Sequence, residues 1–394
     1  MKITRKIFIN ISFFYTLLVS AICFTISSPL LIEISTRINV DIRHLGSIFS
    51  FYFGGFIFGS YLSSFLVKYF TRKKIMTFFY FLLTTGIFSL YFLFNYTFLV
   101  VILFLVGLCS GFIEPQISIL IIEINKKNEG LFITLSQVFY GIGAFVGPFI
   151  TVLVSIAGFN WKYSYIVASI LCFTNIIFFL FIDFSGIEIK ELKKEINISE
   201  IIKLKDRTLF LLLVFSMIFY YCAITGLSTW IPTFLRLNKS FTNIIAAHIL
   251  SFFWIATIAG RIIIGSLIKK IEIIKILLVI IILSIISVIG GIYFKNNLLV
   301  IFSFIFCGLS ISGIWPLIIT KGGLHYPDRI NLIVSALTLF GGLGGLLAPA
   351  LIGFIFLKTN LFVAMNIIYI FLIIILIFVL SIFLINKRNK VESQ

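Results

Sequence analysis

The sequence is poor in charged residues and poorest in acidic ones. Only 11% of its 394 residues are Asp, Glu, Lys or Arg, with 14 acidic residues in all, whereas 61% are hydrophobic. Soluble domains average about 25% charged and about 45–50% apolar residues. So few charged side chains cannot cover the apolar surface of a water-soluble enzyme of this length. The composition therefore indicates a protein whose solvent is lipid.

Motifs for enzymatic, nucleotide or metal chemistry are also missing. The sequence has no G-x-x-x-x-G-K-[ST] loop, no H-E-x-x-H, no nucleophile elbow and no cluster among its three histidines. Its cysteines lie singly in apolar stretches, without disulfide or metal-site spacing, and are interpreted as packing residues: Cys23, Cys109, Cys172, Cys222 and Cys307. We therefore expect no enzyme activity, no cofactor and no bound metal.

Twelve long apolar runs fill most of the chain. Each is long enough to cross the hydrocarbon as a helix, which takes about 20 residues. The runs cover about 8–32, 45–67, 75–94, 97–122, 131–157, 163–182, 208–235, 242–268, 276–294, 298–320, 331–357 and 361–385. The predicted fold is an all-α integral membrane protein of twelve transmembrane helices in two six-helix bundles.

Basic residues between the runs predict the orientation. With the first residues in the cytoplasm, 23 Lys and Arg fall on the cytoplasmic side and 7 on the other. This asymmetry follows the positive-inside rule, with both termini cytoplasmic and the protein in the cytoplasmic membrane. It also accounts for the net charge of +17, because anionic lipids attract such loops. No nucleic-acid partner is needed.

One long polar stretch divides the chain. Residues 183–207 mix acidic and basic side chains at helical spacing, which is typical of a short surface helix. We predict an N-terminal bundle over 1–182, a cytoplasmic linker over 183–207 and a C-terminal bundle over 208–394.

The two halves are related by an internal repeat. A shift of 201 residues places glycine on glycine and proline on proline without a gap, as in Gly59 with Gly260, Gly107 with Gly308, Pro115 with Pro316, Gly143 with Gly344 and Pro148 with Pro349. Six spans per repeat give both halves the same topology, with a pseudo-two-fold axis. This arrangement is typical of secondary transporters, whose solute binds near the midplane.

Glu114 is the acidic residue within the fourth run. A charged side chain in lipid is costly, so such a residue is a functional hypothesis by default. It shares a helix face with Gly107 and Gly111, and Pro115 loosens the helix beside it. Under the repeat, Glu114 corresponds to Trp315.

This correspondence predicts that a carboxyl group and an indole face one central cavity. An aromatic face opposite hydrogen-bonding groups suits a sugar ring. Desolvation favours the protonated form of a carboxyl group, so Glu114 is the candidate for both solute binding and proton coupling. The alternative is a structural Glu114 paired with a neighbouring hydroxyl.

Other residues are candidates for smaller roles. Arg261, within the eighth run, is expected to act in structure or gating near the cytoplasmic end, on helix C-terminal carbonyls or a carboxylate. Gly59 and Gly260 are also expected to act in structure or gating. Pairs of glycines four residues apart predict close helix packing: Gly55/Gly59, Gly107/Gly111, Gly143/Gly147 and Gly341/Gly345. Secondary solute-binding candidates are Gln137, Tyr140, Tyr221, Thr225 and Ser312.

The twelve runs, the two-half repeat and the long middle loop resemble the major facilitator superfamily over nearly the whole chain. The Glu114-Pro-Gln motif, Trp230-Ile-Pro-Thr-Phe, the stretch 252–261 and Gly313-Ile-Trp-Pro resemble its fucose–proton symporter subgroup and sugar-transporting relatives. The resemblance implies that the span-four glutamate, here Glu114, takes part in sugar recognition and proton coupling. The chain departs from these relatives in lacking a span-one Asp and in having Ile224 where a span-seven Glu is common.

We therefore predict a secondary transporter that imports a small polar solute, with a sugar as the expected class, by alternating access. Its expected partners are the solute, a proton or other coupling ion, and membrane lipids, and a monomer is the default state. An exporter of amphipathic compounds or metabolites is the alternative, because 48 phenylalanines would make a permissive cavity. A sensor or scaffold that no longer transports is a third possibility.

Overall fold

The computed structural model describes residues 3–67, 69–126, 128–182, 206–268 and 270–392. Within these ranges the chain forms fourteen α-helices, three short 3-10 turns and no β-strand. The helices are α1 (Ile3–Thr25), α2 (Leu31–Ile38), α3 (Gly46–Leu66), α4 (Arg72–Ser89), α5 (Tyr96–Ile124), α6 (Glu129–Ile156), α7 (Tyr163–Phe181), α8 (Arg207–Asn238), α9 (Asn243–Leu267), α10 (Ile273–Tyr293), α11 (Asn297–Ile311), α12 (Ile314–His325), α13 (Ile330–Lys358) and α14 (Leu361–Glu392).

Eleven segments of the described chain are long and apolar enough to cross a membrane. The prediction of an all-helical membrane fold is confirmed, and eleven of the twelve predicted spans are among these segments. The third predicted run, α4, falls short because it has 18 residues and opens on Arg72, Lys73 and Lys74. The apolar part of α4 that follows these basic residues is therefore shorter than the helix itself.

Two predicted spans are interrupted helices. The first span consists of α1 and α2, separated by a 3-10 turn over Ser28–Leu30 with a proline at its start. The tenth consists of α11 and α12, which meet at Ser312 and Gly313. Pro316 lacks the N–H that would bond the carbonyl of Ser312 four residues earlier, so the interruption lies where the helix loses a hydrogen bond.

The chain divides into two compact units. The first comprises Met1–Lys193 and Phe241–Ser251, and the second comprises Lys194–Ser240 and Phe252–Gln394. In the first unit α1 packs on α6, α3 on α5 and α4 on α7. In the second unit α8 packs on α13 and α14, and α10 packs on α11. Most of the predicted linker, residues 183–205, lies outside the described residues.

The start of α9 belongs to the first unit through contacts with α6. The hydroxyl of Ser251 donates a 3.1 Å hydrogen bond to the carbonyl oxygen of Phe145. One turn away, the ring centroids of His248 and Phe149 are 5.6 Å apart. These contacts attach residues 241–251 to the first unit, although the helix itself runs unbroken to Leu267.

Equivalent glycines of the two repeats make equivalent helix contacts. A side-chain carbon added at Gly59 would overlap the carbonyl oxygen of Leu108, and one added at Gly260 would overlap that of Leu309. Both the glycines and the carbonyls are 201 residues apart. Each unit therefore brings two helix backbones together at the same place, which only glycine permits.

The first and seventh spans follow a slightly different register. Gly143 packs against the carbonyl oxygen of Leu18, and Gly344 packs against that of Ile218. The glycines are 201 residues apart, but the carbonyls are 200 apart. The repeat is therefore offset by one residue in α1 and α8.

Candidate functional site

Glu114 lies on α5 next to its close contact with α3. Gly111, one turn before it, packs against the backbone of Phe56. The hydroxyl of Ser60 on α3 donates a 3.0 Å hydrogen bond to the carbonyl oxygen of Gly111. This carbonyl is the acceptor that Pro115 leaves without its helical N–H. The serine therefore replaces the missing donor, and α5 continues unbroken through the proline.

The carboxyl group of Glu114 is incompletely satisfied. Its side chain is partly buried, and its Oε1 atom is inaccessible and has no hydrogen-bond partner among the described residues. A buried polar atom without a partner is costly and calls for an explanation, such as a water, an ion or a ligand. This unsatisfied oxygen keeps Glu114 as the candidate for solute and proton binding, and that role stays a prediction.

Tyr52 is the neighbour of Glu114 that sequence reasoning missed. It lies on α3, is buried, and is close enough to Glu114 for the two groups to interact electrostatically, with its phenol beside Ser110. Its spacing of three and seven residues from Gly55 and Gly59 places all three on the face of α3 that meets α5. This spacing in the sequence could have indicated that Tyr52 lies near Glu114.

Trp315 lies in the second unit, near the start of α12. Its side chain is partly buried, and the indole Nε1 has no hydrogen-bond partner within the described chain. An indole nitrogen can only donate. The positions of Glu114 and Trp315 correspond under the 201-residue repeat, so each unit has one unsatisfied buried polar atom at the equivalent place.

Ser312, one turn before Trp315, has a structural contact. It is fully buried, its hydroxyl donates a 2.8 Å hydrogen bond to the carbonyl oxygen of Leu309, and it packs against Gly260. Its role in solute binding stays a prediction. Gly59 and Gly260 lie at close helix contacts, and their role in structure or gating stays a prediction.

Four further candidates lie on α6 and α8. Gln137 and Tyr140 are partly buried on α6, and Tyr221 is partly buried on α8. Thr225 is buried, and its hydroxyl donates a 2.6 Å hydrogen bond to the carbonyl oxygen of Tyr221 within the same helix. The structure thus places Tyr221 and Thr225 on one helix face, and binding by these four residues stays a prediction.

Arg261 contacts a phenol. Its guanidinium hydrogen-bonds the side chain of Tyr220, so α9 is joined to α8 inside the second unit. This contact supports the structural part of its predicted role. The identity of its partner depends on how α8 and α9 are rotated against one another, which the sequence does not specify.

The chain is similar to known proteins over nearly its whole length. Residues 13–349 match the family model described as Major Facilitator Superfamily. The chain is 23% identical over 370 residues to the glucose/mannose transporter GlcP of Bacillus subtilis (strain 168), covering 90% of this chain and 89% of the relative. It is also 23% identical over 389 residues to a TsgA homolog of Buchnera aphidicola subsp. Schizaphis graminum, covering 96% of both.

Two solved structures have a similar fold. The nucleoside transporter NupG matches with a TM-score of 0.80 and 13% identity, over 96% of this chain and 100% of that one. A bacterial homolog of the human lysosomal transporter Spinster, in an inward-facing unoccupied conformation, matches with a TM-score of 0.77 and 14% identity over 96% and 97%. At these identities the likeness shows the fold alone.

Proposed function

Since the chain belongs to the major facilitator superfamily, we propose that it imports a hexose-type sugar together with a proton, and that Glu114 couples the two. Membership makes the protein a multi-pass membrane protein and a secondary transporter of small solutes, not an enzyme. The sugar, the proton and the roles of individual residues are the proposed part.

A sugar is the favoured solute class for two reasons. The relative from Bacillus subtilis, which aligns with 90% of this chain, is a glucose/mannose transporter. In addition, Trp315 has an unsatisfied indole N–H and an aromatic face, which together can stack on a sugar ring and donate to one of its hydroxyls. Trp315 would be the solute contact of the second unit, and Glu114 would be that of the first.

The unpaired Oε1 atom of Glu114 is the observation that carries proton coupling. A carboxyl group with an unpaired oxygen in a membrane helix is most stable when it is neutral, and it can ionise when a partner or water arrives. One proton moving down about 100 mV supplies about 2.3 kcal/mol. This energy corresponds to an accumulation of about fifty-fold, so one carboxyl group is sufficient.

The remaining parts of the proposal concern the whole chain. The bundles over 1–182 and 208–394 would expose the bound solute to each side of the membrane in turn. The basic loops and both termini would face the cytoplasm, in the cytoplasmic membrane, and the protein would work as a monomer. Gln137, Tyr140, Tyr221, Thr225 and Ser312 would contribute to binding, and Arg261 to gating.

Uptake by proteoliposomes tests the proposal. Purified protein is reconstituted with an alkaline interior, and entry of labelled D-glucose and D-mannose is measured with and without the pH gradient. The wild type should accumulate one of these sugars only with the gradient. Glu114→Gln should fold, as judged by its thermal transition, and lose accumulation.

Glu123→Gln is the matched control, because Glu123 lies on the same helix and is paired with Lys126 at 3.3 Å. It should accumulate sugar like the wild type. Gradient-driven accumulation by Glu114→Gln would contradict the role of the carboxyl group. Gradient-driven expulsion of an amphipathic dye, without sugar uptake, would favour the exporter.

A further inference from the structure

Two cysteines of the first unit have their sulfur atoms in contact. The Sγ atoms of Cys23 on α1 and Cys172 on α7 are 3.4 Å apart. Both side chains are buried, with exposures of 2% and 0%. The residues are 149 positions apart in sequence, so their spacing gave no indication of the contact.

Hydrogen bonds on both sides of the cysteines fix the register of the two helices. Thr16 on α1 donates a 3.2 Å hydrogen bond to Asn175 on α7. Beyond the cysteines in the other direction, the hydroxyls of Ser27 and Tyr165 are 3.1 Å apart. Since α7 is joined to α1 at one level and to Ser27, two residues after the end of α1, at the other, the thiols between them are held together by the packing of the unit.

We propose that Cys23 and Cys172 form a redox-active dithiol that a lipid-soluble quinone oxidises to a disulfide. Both S–H bonds break and one S–S bond forms, and the two protons and two electrons convert the quinone to its hydroquinone. The sulfurs must approach from 3.4 Å to about 2.05 Å, a movement of the size that side-chain rotation provides.

The surroundings of the dithiol select the class of oxidant. Both cysteines lie in membrane-spanning segments and have almost no exposed surface. A charged, water-soluble oxidant does not enter the hydrocarbon, whereas a quinone dissolves in it. Because the thiols are buried inside the protein, the quinone would reach them only when the contact between α1 and α7 opens locally. The product would join α1 to α7 covalently and rigidify the first unit. This proposal is independent of the transported solute.

Thiol counting tests the dithiol. The full-length protein is incubated in lipid with tetramethyl-1,4-benzoquinone, whose substituted ring has no open carbon for thiol addition, and is then denatured and titrated for free thiols. The wild type should fall from five thiols to three and return to five after reduction. Peptide mass spectrometry should identify the Cys23–Cys172 linkage.

Single substitutions identify the pair. Cys23→Ala and Cys172→Ala should keep all four of their thiols, whereas Cys307→Ala, a buried cysteine of the second unit, should fall from four to two. If an alanine variant fails to fold, the wild-type linkage decides the question. Five remaining thiols in the wild type, or a linkage that involves another cysteine, would overturn the proposal.

Discussion

The hydroxyl of Ser60 donates its hydrogen bond to the carbonyl of Gly111 at 3.0 Å, the acceptor that Pro115 leaves unpaired. Under the 201-residue repeat, the corresponding carbonyl in the second half belongs to Ser312, and the position that corresponds to Ser60 is Arg261. There the helix is divided between α11 and α12. We attribute the continuity of α5 to the serine, since an unpaired carbonyl in lipid is costly.

Removing this hydroxyl should weaken the first unit. We expect Ser60→Ala to lower the free energy of unfolding by about 1 kcal/mol, because the carbonyl of Gly111 loses its donor. Ser266→Ala is the control, since the hydroxyl of the exposed Ser266 donates to the carbonyl of Ile263 in its own helix and joins no second helix among the described residues. Unfolding in mixed detergent measures both variants. Equal stability of the two would show that Ser60 contributes nothing through this bond.

Close packing of α3 on α5 should not tolerate a methyl group. A carbon added at Gly107 would overlap the backbone of Tyr52, whereas, outside its own stretch of helix, none of the residues that the structure describes has an atom within 4 Å of the position at Gly265. We expect Gly107→Ala to cost about 1–3 kcal/mol through overpacking. Gly265→Ala should gain up to about 1 kcal/mol of helix propensity. A thermal midpoint for Gly107→Ala at or above that of the wild type would contradict this packing.

The phenol of Tyr52 should influence the chemistry of Glu114, to which it lies close. We expect Tyr52→Phe to fold and to change the pH dependence of sugar uptake, because the hydroxyl polarises the surroundings of the carboxyl group. Tyr80→Phe is the control: it removes an equally buried hydroxyl that bonds Thr16 instead. If both variants keep the wild-type pH profile, Tyr52 has no part in coupling.

An ion pair at the connection between the first two spans predicts a pH effect on stability. The side chain of Arg43 donates to Asp41 at 2.8 and 2.9 Å, and this hydrogen bonding lowers the pKa of Asp41 to about 2. A carboxyl group with a lowered pKa stabilises the fold above its unfolded pKa of about 3.9 and loses this contribution as the pH falls through its folded pKa.

Asp41→Asn should therefore lower the thermal midpoint by the same small amount from pH 8 to pH 5. The effect is small because both side chains are exposed by more than a third. The difference from the wild type should shrink between pH 4 and pH 2. A difference that grows on acidification would contradict the assignment.

The sequence predicts the membrane fold well because lipid imposes strict rules on it. A span needs a long apolar helix, and eleven of the twelve predicted runs satisfy this requirement. The sequence also predicts the internal repeat, and Gly59 and Gly260 make equivalent helix contacts in the two units. The interruption of the helix at Ser312 was missed. Pro316 corresponds to Pro115 in the repeat, and α5 continues through Pro115, so a proline alone does not indicate where a helix is divided.

Which residues of different helices contact each other could not be predicted from the sequence. A helical period identifies which residues share a face, but not how far one helix is rotated or shifted against the next. For this reason Tyr52 was not linked to Glu114, Arg261 was not assigned to Tyr220, and Cys23 was not paired with Cys172.

Proton movement that accompanies the sugar is the most direct test of the central claim. Proteoliposomes are prepared in weak buffer without any gradient, the transported hexose is added outside, and the external pH is recorded. Wild-type protein should make the medium alkaline as protons enter with the sugar, and Glu114→Gln should leave the pH unchanged. Alkalinisation by Glu114→Gln equal to that of the wild type would contradict the claim.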